Sequence, residues 1–246
     1  MHILTFAYFA TLKKVTQLNP DFHYHFKEQH LWLLAEKAIF WEEEKALIIS
    51  DLHLGKTGHF RKSGIAVPQH VFMQDMQQLV TLIQSYKPTQ LIVVGDFFHS
   101  EENKELDLFL KWRRDFASLD IKLIQGNHDI LKDQWYKDAF VQVYKKEPYI
   151  QGPFAFVHDQ KDMEKYPAFS DKYFFTGHTH PGIFIKGTGK QSLRFPCFYF
   201  KESHAVLPAF GRFTGLAMIK PGKRDKVFPI IASTAAKQEF GKVIAL

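Results

Sequence analysis

The chain has 246 residues, with 32 Lys plus Arg against 26 Asp plus Glu, and a formal charge of +6 when histidine is neutral. Apolar residues make up 46%, among them 25 Phe, so a large core can be buried and disorder is excluded for most of the length. One cysteine, Cys197, excludes an intramolecular disulfide and a thiolate zinc site, and fits a reducing, cytoplasmic compartment.

In chain order, the first stretch is 3–12, which is apolar but shorter than the ~18 residues of a membrane span. Lys13 and Lys14 follow it rather than precede it, the wrong order for a secretory signal. Residues 1–20 are read as an N-terminal extension and 21–246 as one domain. Short strands are predicted at 22–27, 31–34, 38–41 and 46–50, with the acidic run 42–44 as a solvated turn. Phe72, Met76, Leu79 and Ile83 follow helical spacing and predict a helix over 71–86, which Pro88 stops. A buried strand follows at 91–94. A second helix is predicted over 105–117, with Leu106, Phe109, Leu110 and Phe116 inward and Lys111, Arg113 and Arg114 outward. Further strands are predicted at 121–125, 154–157 and 173–176. After residue 182 helical patterns disappear, and Gly and Pro punctuate apolar runs at 198–200, 205–207 and 216–219. Strand–helix alternation followed by strands predicts a layered α/β (α+β) fold with a mixed sheet or two sheets.

Five of these strands end abruptly in residues that ligate metals. The run 46–50 leads into Asp51-Leu52-His53, and 91–94 into Gly95-Asp96-Phe97-Phe98-His99. The run 121–125 leads into Gly126-Asn127-His128-Asp129, 154–157 into His158-Asp159, and 173–176 into Gly177-His178-Thr179-His180. Functional clefts of α/β sheets form at the carboxyl ends of strands, so five ends pointing one way bring these residues together. Asp51 and His53 are two apart and share a side if the chain is extended, as do His178 and His180. Gly95, Gly126 and Gly177 each precede a candidate, where the chain turns sharply and passes close to other backbone. Taken singly, Asp-x-His caps loops and Gly-Asp makes turns. All five in order, each at a strand end, point to a single site.

The candidate ligands are Asp51, His53, Asp96, Asn127, His158, His178 and His180: two carboxylates, four imidazoles and one amide. Seven exceed what one tetrahedral ion takes. They suit two divalent ions sharing a bridging carboxylate and a bridging water, the arrangement used for in-line phosphoryl displacement. Manganese leads the candidate metals, with Fe, Zn or Co as alternatives, and the positive centre matches an anionic substrate.

In order and spacing, the motifs across 51–180 resemble the calcineurin-like metallophosphoesterase superfamily. That resemblance implies a four-layer fold, a two-sheet β-sandwich flanked by helices. It implies that Asp51, His53, Asp96 and His180 hold one metal, and Asn127, His158 and His178 the other, with Asp96 bridging. His128 would be the catalytic imidazole and Asp129 its orienting partner. The nucleophile would be a metal-bridging hydroxide. One motif departs: the pattern often reads His-Gly-His where this chain has Val157-His158-Asp159, which keeps the ligand and changes its neighbour.

Three segments resemble the bacterial phosphoesterases that accompany a DNA-repair ligase and helicase, a group of metal-dependent nucleases. They are Ser50-Asp-Leu-His-Leu-Gly-Lys56 with Arg61 and Gly64, then Arg194-Phe-Pro-Cys-Phe198, and Leu207-Pro-Ala-Phe-Gly-Arg-Phe-Thr-Gly215. Gly95-Asp-Phe-Phe-His99 is similar to the Gly-Asp-x-Phe-His of double-strand-break repair nucleases, which puts His99 beside the metals and on the scissile phosphate. The implied substrate is nucleic acid, DNA first, with no membrane involved.

Lys56, His59, Arg61 and Lys62 follow the first motif. They either line the mouth of the site, with Lys56 and Arg61 as substrate-binding candidates, or form a solvated basic loop. Phe97 and Phe98 are expected in the core rather than stacked on bases. His23, His25 and His30 are read as structural, and Cys197 as a small buried apolar residue. The main rival is a small-molecule or nucleotide pyrophosphatase similar to the UDP-diacylglucosamine hydrolases of the lipid A pathway. Those tend to have Glu at the position of His99 and Arg at that of His128. A phosphoprotein phosphatase needs Gly-Asp-x-x-Asp-Arg, where this chain has His99 and Ser100, and filled ligand slots disfavour a metal-free scaffold.

Overall fold

Alternating polar and apolar residues build the first hairpin. β1 (Phe22–Phe26) buries Tyr24, and β2 (Gln29–Leu34) buries Leu31 and Leu33. Lys27 and Glu28 join the two strands with φ of 54° and 60°, the left-handed pair that a two-residue hairpin turn requires. This computed structural model describes residues 22–56, 70–99, 104–187, 192–231 and 241–246, so the expected extension over 1–20 lies outside the described residues.

β3 (Ala38–Trp41) and β4 (Ala46–Ile49) continue the antiparallel meander. The sheet then turns parallel through β5 (Gln90–Val94), β6 (Asp120–Ile124) and β7 (Val141–Tyr144), giving the order β1-β2-β3-β4-β5-β6-β7. The described crossover helices are α1 (His70–Tyr86), α2 (Lys104–Asp115) and α3 (Asp133–Asp138). β4 and β5 are buried along their whole length, as parallel strands covered on both faces are. One face receives Phe72, Met76, Leu79 and Ile83 of α1, the stripe the sequence predicts, together with Leu106, Phe109 and Trp112 of α2.

The opposite face packs on a second sheet. Its strands are β8 (Tyr149–Gln151), β9 (Phe154–Phe156), β10 (Tyr173–Thr176), β11 (Pro181–Lys186), β12 (Ser192–Phe200), β13 (His204–Val206) and β14 (Ala217–Met218). They run in the order β14-β11-β12-β13-β10-β9-β8; β15 (Lys226–Ile231) pairs with β12, and β16 (Lys242–Val243) with β15. Ile39, Trp41, Ile48, Ile92 and Val94 of the first sheet meet Phe154, Phe156, Phe175, Phe198, Phe200 and Phe228 of the second. The rings meet edge-on, Trp41 on Phe154 at 4.9 Å and Phe154 on Phe175 at 5.0 Å, so the phenylalanine excess fills the space between the sheets. On the outer face of the second sheet, 3-10 turns at Gln160–Lys165 and Pro167–Phe169 bring Met163, Tyr166 and Phe169 onto Val157 and Phe174.

Several expectations need correction. The run 198–200 is the tail of a nine-residue strand, β12, which passes through Pro196. β7, β8, β11, β15, β16 and α3 are elements the sequence pattern did not announce. Arg113 is not on an exposed face. It is 4% exposed, and its guanidinium donates to the carbonyls of Phe116, Leu119, Ala139 and Phe140. The turn at 42–44 is a turn, yet its acids are engaged: Glu43 accepts from the amide of His30 and lies 2.6 Å from its Nδ1, and Glu42 accepts from Trp32 Nε1. Cys197 is buried, which pushes its thiol up to about 12. No helix among the described residues is long and apolar enough to cross a membrane.

Candidate metal centre

The three parallel ends of β4, β5 and β6 and the parallel ends of β9 and β10 open on the same space. Beyond its last strand residue, the β4 segment stays paired to the β5 segment. Asp51 N donates to Gly95 O, His53 N to Asp96 O, and Leu54 N to Phe97 O, and His99 N returns to Leu54 O. In the second sheet Gly177 N donates to His158 O. The sheets are joined at the site: both carboxylate oxygens of Asp51 accept from the amide of His178, at 3.3 and 3.0 Å. The loop after β13 braces the same place, with Phe210 N on Ser50 O and Gly211 N on Asp51 O.

Asp51 and His53 do not share a side through extended chain, because the chain there is not extended. Asp51, His53, Asp96, His178 and His180 all have φ between 47° and 64°. Left-handed backbone in non-glycine residues costs on the order of 1–3 kcal/mol each and gathers at functional sites. The three glycines give these kinks their space. A Cβ on Gly95, itself at φ +80°, would stand 1.8 Å from His158 Nδ1. On Gly126 it would meet Asp96 Oδ1 at 2.2 Å, and on Gly177 Asp51 Oδ2 at 2.6 Å.

The ligating atoms fall into two sets. Those of Asp51, His53 and His180 lie within 4.8 Å of one another, and so do those of Asp96, His158 and His178. Around Nε2 of His158 converge Nδ1 of His178 at 3.2 Å, Oδ1 of Asn127 at 3.3 Å and Oδ2 of Asp96 at 3.4 Å. The Nδ1 of His158 faces the carbonyl of Val94 at 3.2 Å and therefore keeps the proton when the ring is neutral, which leaves the Nε2 lone pair for a cation that displaces the second proton. Converging lone pairs repel unless a cation lies among them. In the other set the buried Nε2 atoms of His53 and His180 have no hydrogen-bond partner, though His180 Nε2 stands 3.3 Å from Asp51 Oδ1. A buried polar atom without a partner is costly, and a divalent ion satisfies it. The donor set, imidazole, carboxylate and amide oxygen, fits a transition metal in each position.

The electrostatics agree. Burial pulls the pKa of His158 down, but Asp96 and Asp51 outweigh it and lift the ring to about 9. Burial pushes Asp96 up, and His158, the His128 amide and His53 outweigh it and hold the carboxyl below the ordinary range. The carboxylates thus favour positive charge in the second set. His53 is pushed far below its usual value by burial and by Lys56, so its ring is a neutral donor.

The remaining expected residues separate. His128 is half-buried; its amide donates to Asp96 Oδ1 at 2.9 Å, and its ring lies 4.3 Å from that of His99 and 5.5 Å from that of His53. His99 Nδ1 lies 3.2 Å from His53 Nδ1. Asp129 does not reach the His128 ring. Its oxygens accept from the amides of Phe98 (2.8 Å) and Gly126 (2.9 Å), which ties the β5 and β6 ends together, and burial lifts its carboxyl to about 7. Phe97 and Phe98 are fully buried. Lys56 sits beside the site with its pKa lowered by burial, against the pull of Asp96 and Asp51. Arg61, His59 and Lys62 lie outside the described residues. Sequence reasoning missed the Val94 carbonyl, which no residue type signals, and the bracing contacts of Phe210 and Gly211.

A two-sheet sandwich holding paired Asp/His clusters at its strand ends is the architecture of a metal-dependent phosphoesterase. The family model for calcineurin-like phosphoesterases matches residues 45–203, and the chain belongs to that family. It is a metal-dependent hydrolase of phosphoric esters. Among solved structures it is similar to the Pseudomonas putida nuclease MPE, at 30% identity and TM-score 0.70, over 85% of this chain and 96% of that one. The Aquifex aeolicus protein AQ665 aligns at 19% identity and TM-score 0.39, covering 59% of this chain and 82% of that one. The E. coli phosphoesterase Yfce aligns at 11% identity and TM-score 0.38, covering 75% and 86%. No curated protein sequence matches the chain.

Proposed function

We propose that this protein is a dinuclear, manganese-dependent nuclease that hydrolyses phosphodiester bonds in DNA, acting in the cytoplasm beside a ligase and helicase of DNA repair. Asp51, His53 and His180 would hold one ion and Asn127, His158 and His178 the other, with the Asp96 carboxylate available to both. When bound, the ions activate the attacking water and neutralise charge growing on the phosphoryl oxygens. The chain's own residues do the rest. His128, held against Asp96 through its amide, offers its imidazole to the leaving oxygen as general acid. His99, packed on the rings of His53 and His128, contacts the scissile phosphate. Lys56 and Arg61 hold flanking phosphates as point charges. Asp129 fixes the two loops that carry these groups.

The observation that carries this reading is the His99–His128 pair, two imidazoles with ring centroids 4.3 Å apart at the edge of the ligand sets. The rival pyrophosphatases tend to have Glu and Arg at those positions. The similarity to a nuclease at 30% identity supports the same choice. The test is a side-by-side assay with added manganese on a chromogenic diester, a chromogenic monoester, and single- and double-stranded DNA and RNA. The expected result is cleavage of the diester and of DNA well above the monoester. Strong monoester preference would overturn the nuclease reading.

A further inference from the structure

Asp159 occupies the place where the family pattern often has glycine, and its two oxygens face different ways. Oδ1 accepts from the amide of Lys161 at 3.0 Å and caps the 3-10 turn at Gln160–Lys165. Oδ2 lies 3.8 Å from Nε2 of His178. The other nitrogen of that ring, Nδ1, lies 3.2 Å from His158 Nε2, inside the second ligand set.

A neutral imidazole carries one N–H and one lone pair. For Nδ1 of His178 to give its lone pair to a cation, the proton must sit on Nε2. Nε2 is the nitrogen that faces the carboxylate. An N–H directed at a carboxylate is attracted, and a lone pair directed at it is repelled. The separation of 3.8 Å exceeds a hydrogen bond, yet that difference still acts across it. We propose that Asp159 is a positioning residue, which fixes the tautomer and ring orientation of His178 so that Nδ1 is the donor atom of the second metal site. This rests on the dinuclear reading and adds to it a residue outside the ligand set. His158 receives the same service from the Val94 carbonyl, so each imidazole of the set has a partner on its outer nitrogen. The departure from glycine is then a gain of function at this position.

Two variants separate this role from the cap. Asp159→Ser keeps a capping oxygen for Lys161 and withdraws the carboxylate from His178. Asp159→Asn keeps the shape and the cap. With its oxygen on Lys161, the amide turns its NH2 toward Nε2, donates to it, and favours the wrong tautomer. Equilibrium dialysis against manganese, with the spin-coupled signal of paired manganese ions as the second readout, should give two ions per wild-type chain. Both variants should bind one ion as wild type does and the other ten- to a hundredfold more weakly, the loss expected when a metal-bound histidine loses its outer partner. The coupled signal should weaken in parallel, while the melting temperature of the metal-free protein stays near wild type. Two ions bound with wild-type affinity in Asp159→Asn would overturn the proposal alone. Fewer than two ions in the wild type would overturn the dinuclear reading and this one with it.

Discussion

At His128, main chain and side chain do separate work. The amide holds Asp96 Oδ1, and the ring lies against His99. His128→Ala keeps the amide, so metal content should stay at the wild-type value. Turnover of a diester should fall about 10²- to 10⁴-fold, the usual contribution of a general acid. Turnover near wild type would remove His128 from the mechanism. Gly95→Ala should do the opposite, because the new Cβ lands on His158 Nδ1 and the residue must hold φ +80°. The left-handed backbone alone costs ~1–2 kcal/mol. The expected outcome is a lower melting temperature and a loss of bound metal, read by thermal unfolding and metal analysis. An unchanged metal content would show that the ring has room to move. The ligand candidates were legible in the sequence because each strand and its ligand lie within a few residues, and local pattern carries that far. Which nitrogen of His158 binds depends on the Val94 carbonyl, 64 positions away, and Asp129 reaches the Phe98 amide, 31 positions away, so no residue type announces them. The paired spacing of Asp51 and His53 read correctly as one cluster, but for the wrong reason: left-handed kinks bring them together.

Among elements, the long apolar stripe of α1 was readable from its helical spacing, and the runs β4, β5, β9 and β10 because burial on both faces leaves a continuous signal. β12 and β15 were not, because Pro196 and Pro229 lie inside them. Proline lacks an amide to donate and argues for a strand end or edge. Here Pro196 is opposite Gly182 and Pro229 opposite Cys197, in strands of a sheet whose path branches at β12. α3 has six residues, too few for a helical period to show. Arg113 is the clearest misreading. It sits in the last turn of α2, where cations are favoured, and a solvated face is the usual inference. Instead the guanidinium bridges the end of α2 to the α3–β7 turn through four carbonyls. Arg113→Ala should destabilise the protein by about 2–4 kcal/mol in urea unfolding, because buried acceptors lose their donors. Arg113→Lys should recover little, since one ammonium cannot span a planar fork's partners. A loss under about 0.5 kcal/mol would mean that water replaces the clamp.

At the scale of the whole molecule, the described residues form two sheets whose joint is the site, with Asp51 of one holding the His178 amide of the other. Stability and metal binding therefore share structure, and a probe of the sheet packing must lie away from the ligands. His204 on β13 is such a probe. It is 8% exposed, with Nε2 3.1 Å from Gln160 Oε1 and Nδ1 3.1 Å from Ser203 Oγ. Burial, then Lys201, pull its pKa down to about 4, against the opposite pull of Asp225. The unfolded chain protonates this ring near pH 6.5, while the folded chain keeps it neutral until about pH 4. Between those values the unfolded state binds the extra proton, so stability rises with pH. The contribution is fully present above pH ~6.5, declines as pH falls, and is gone below pH ~4. A shift of this size corresponds to about 3 kcal/mol. The variant His204→Gln keeps a donor for Gln160 and cannot titrate, so the difference between wild type and variant isolates this group from every other. Urea unfolding of both in chelator, from pH 4 to pH 8, should show that difference shrinking by up to about 3 kcal/mol on the acid side. A difference that stays constant with pH would place the His204 ring in water, with its sheet open at that edge.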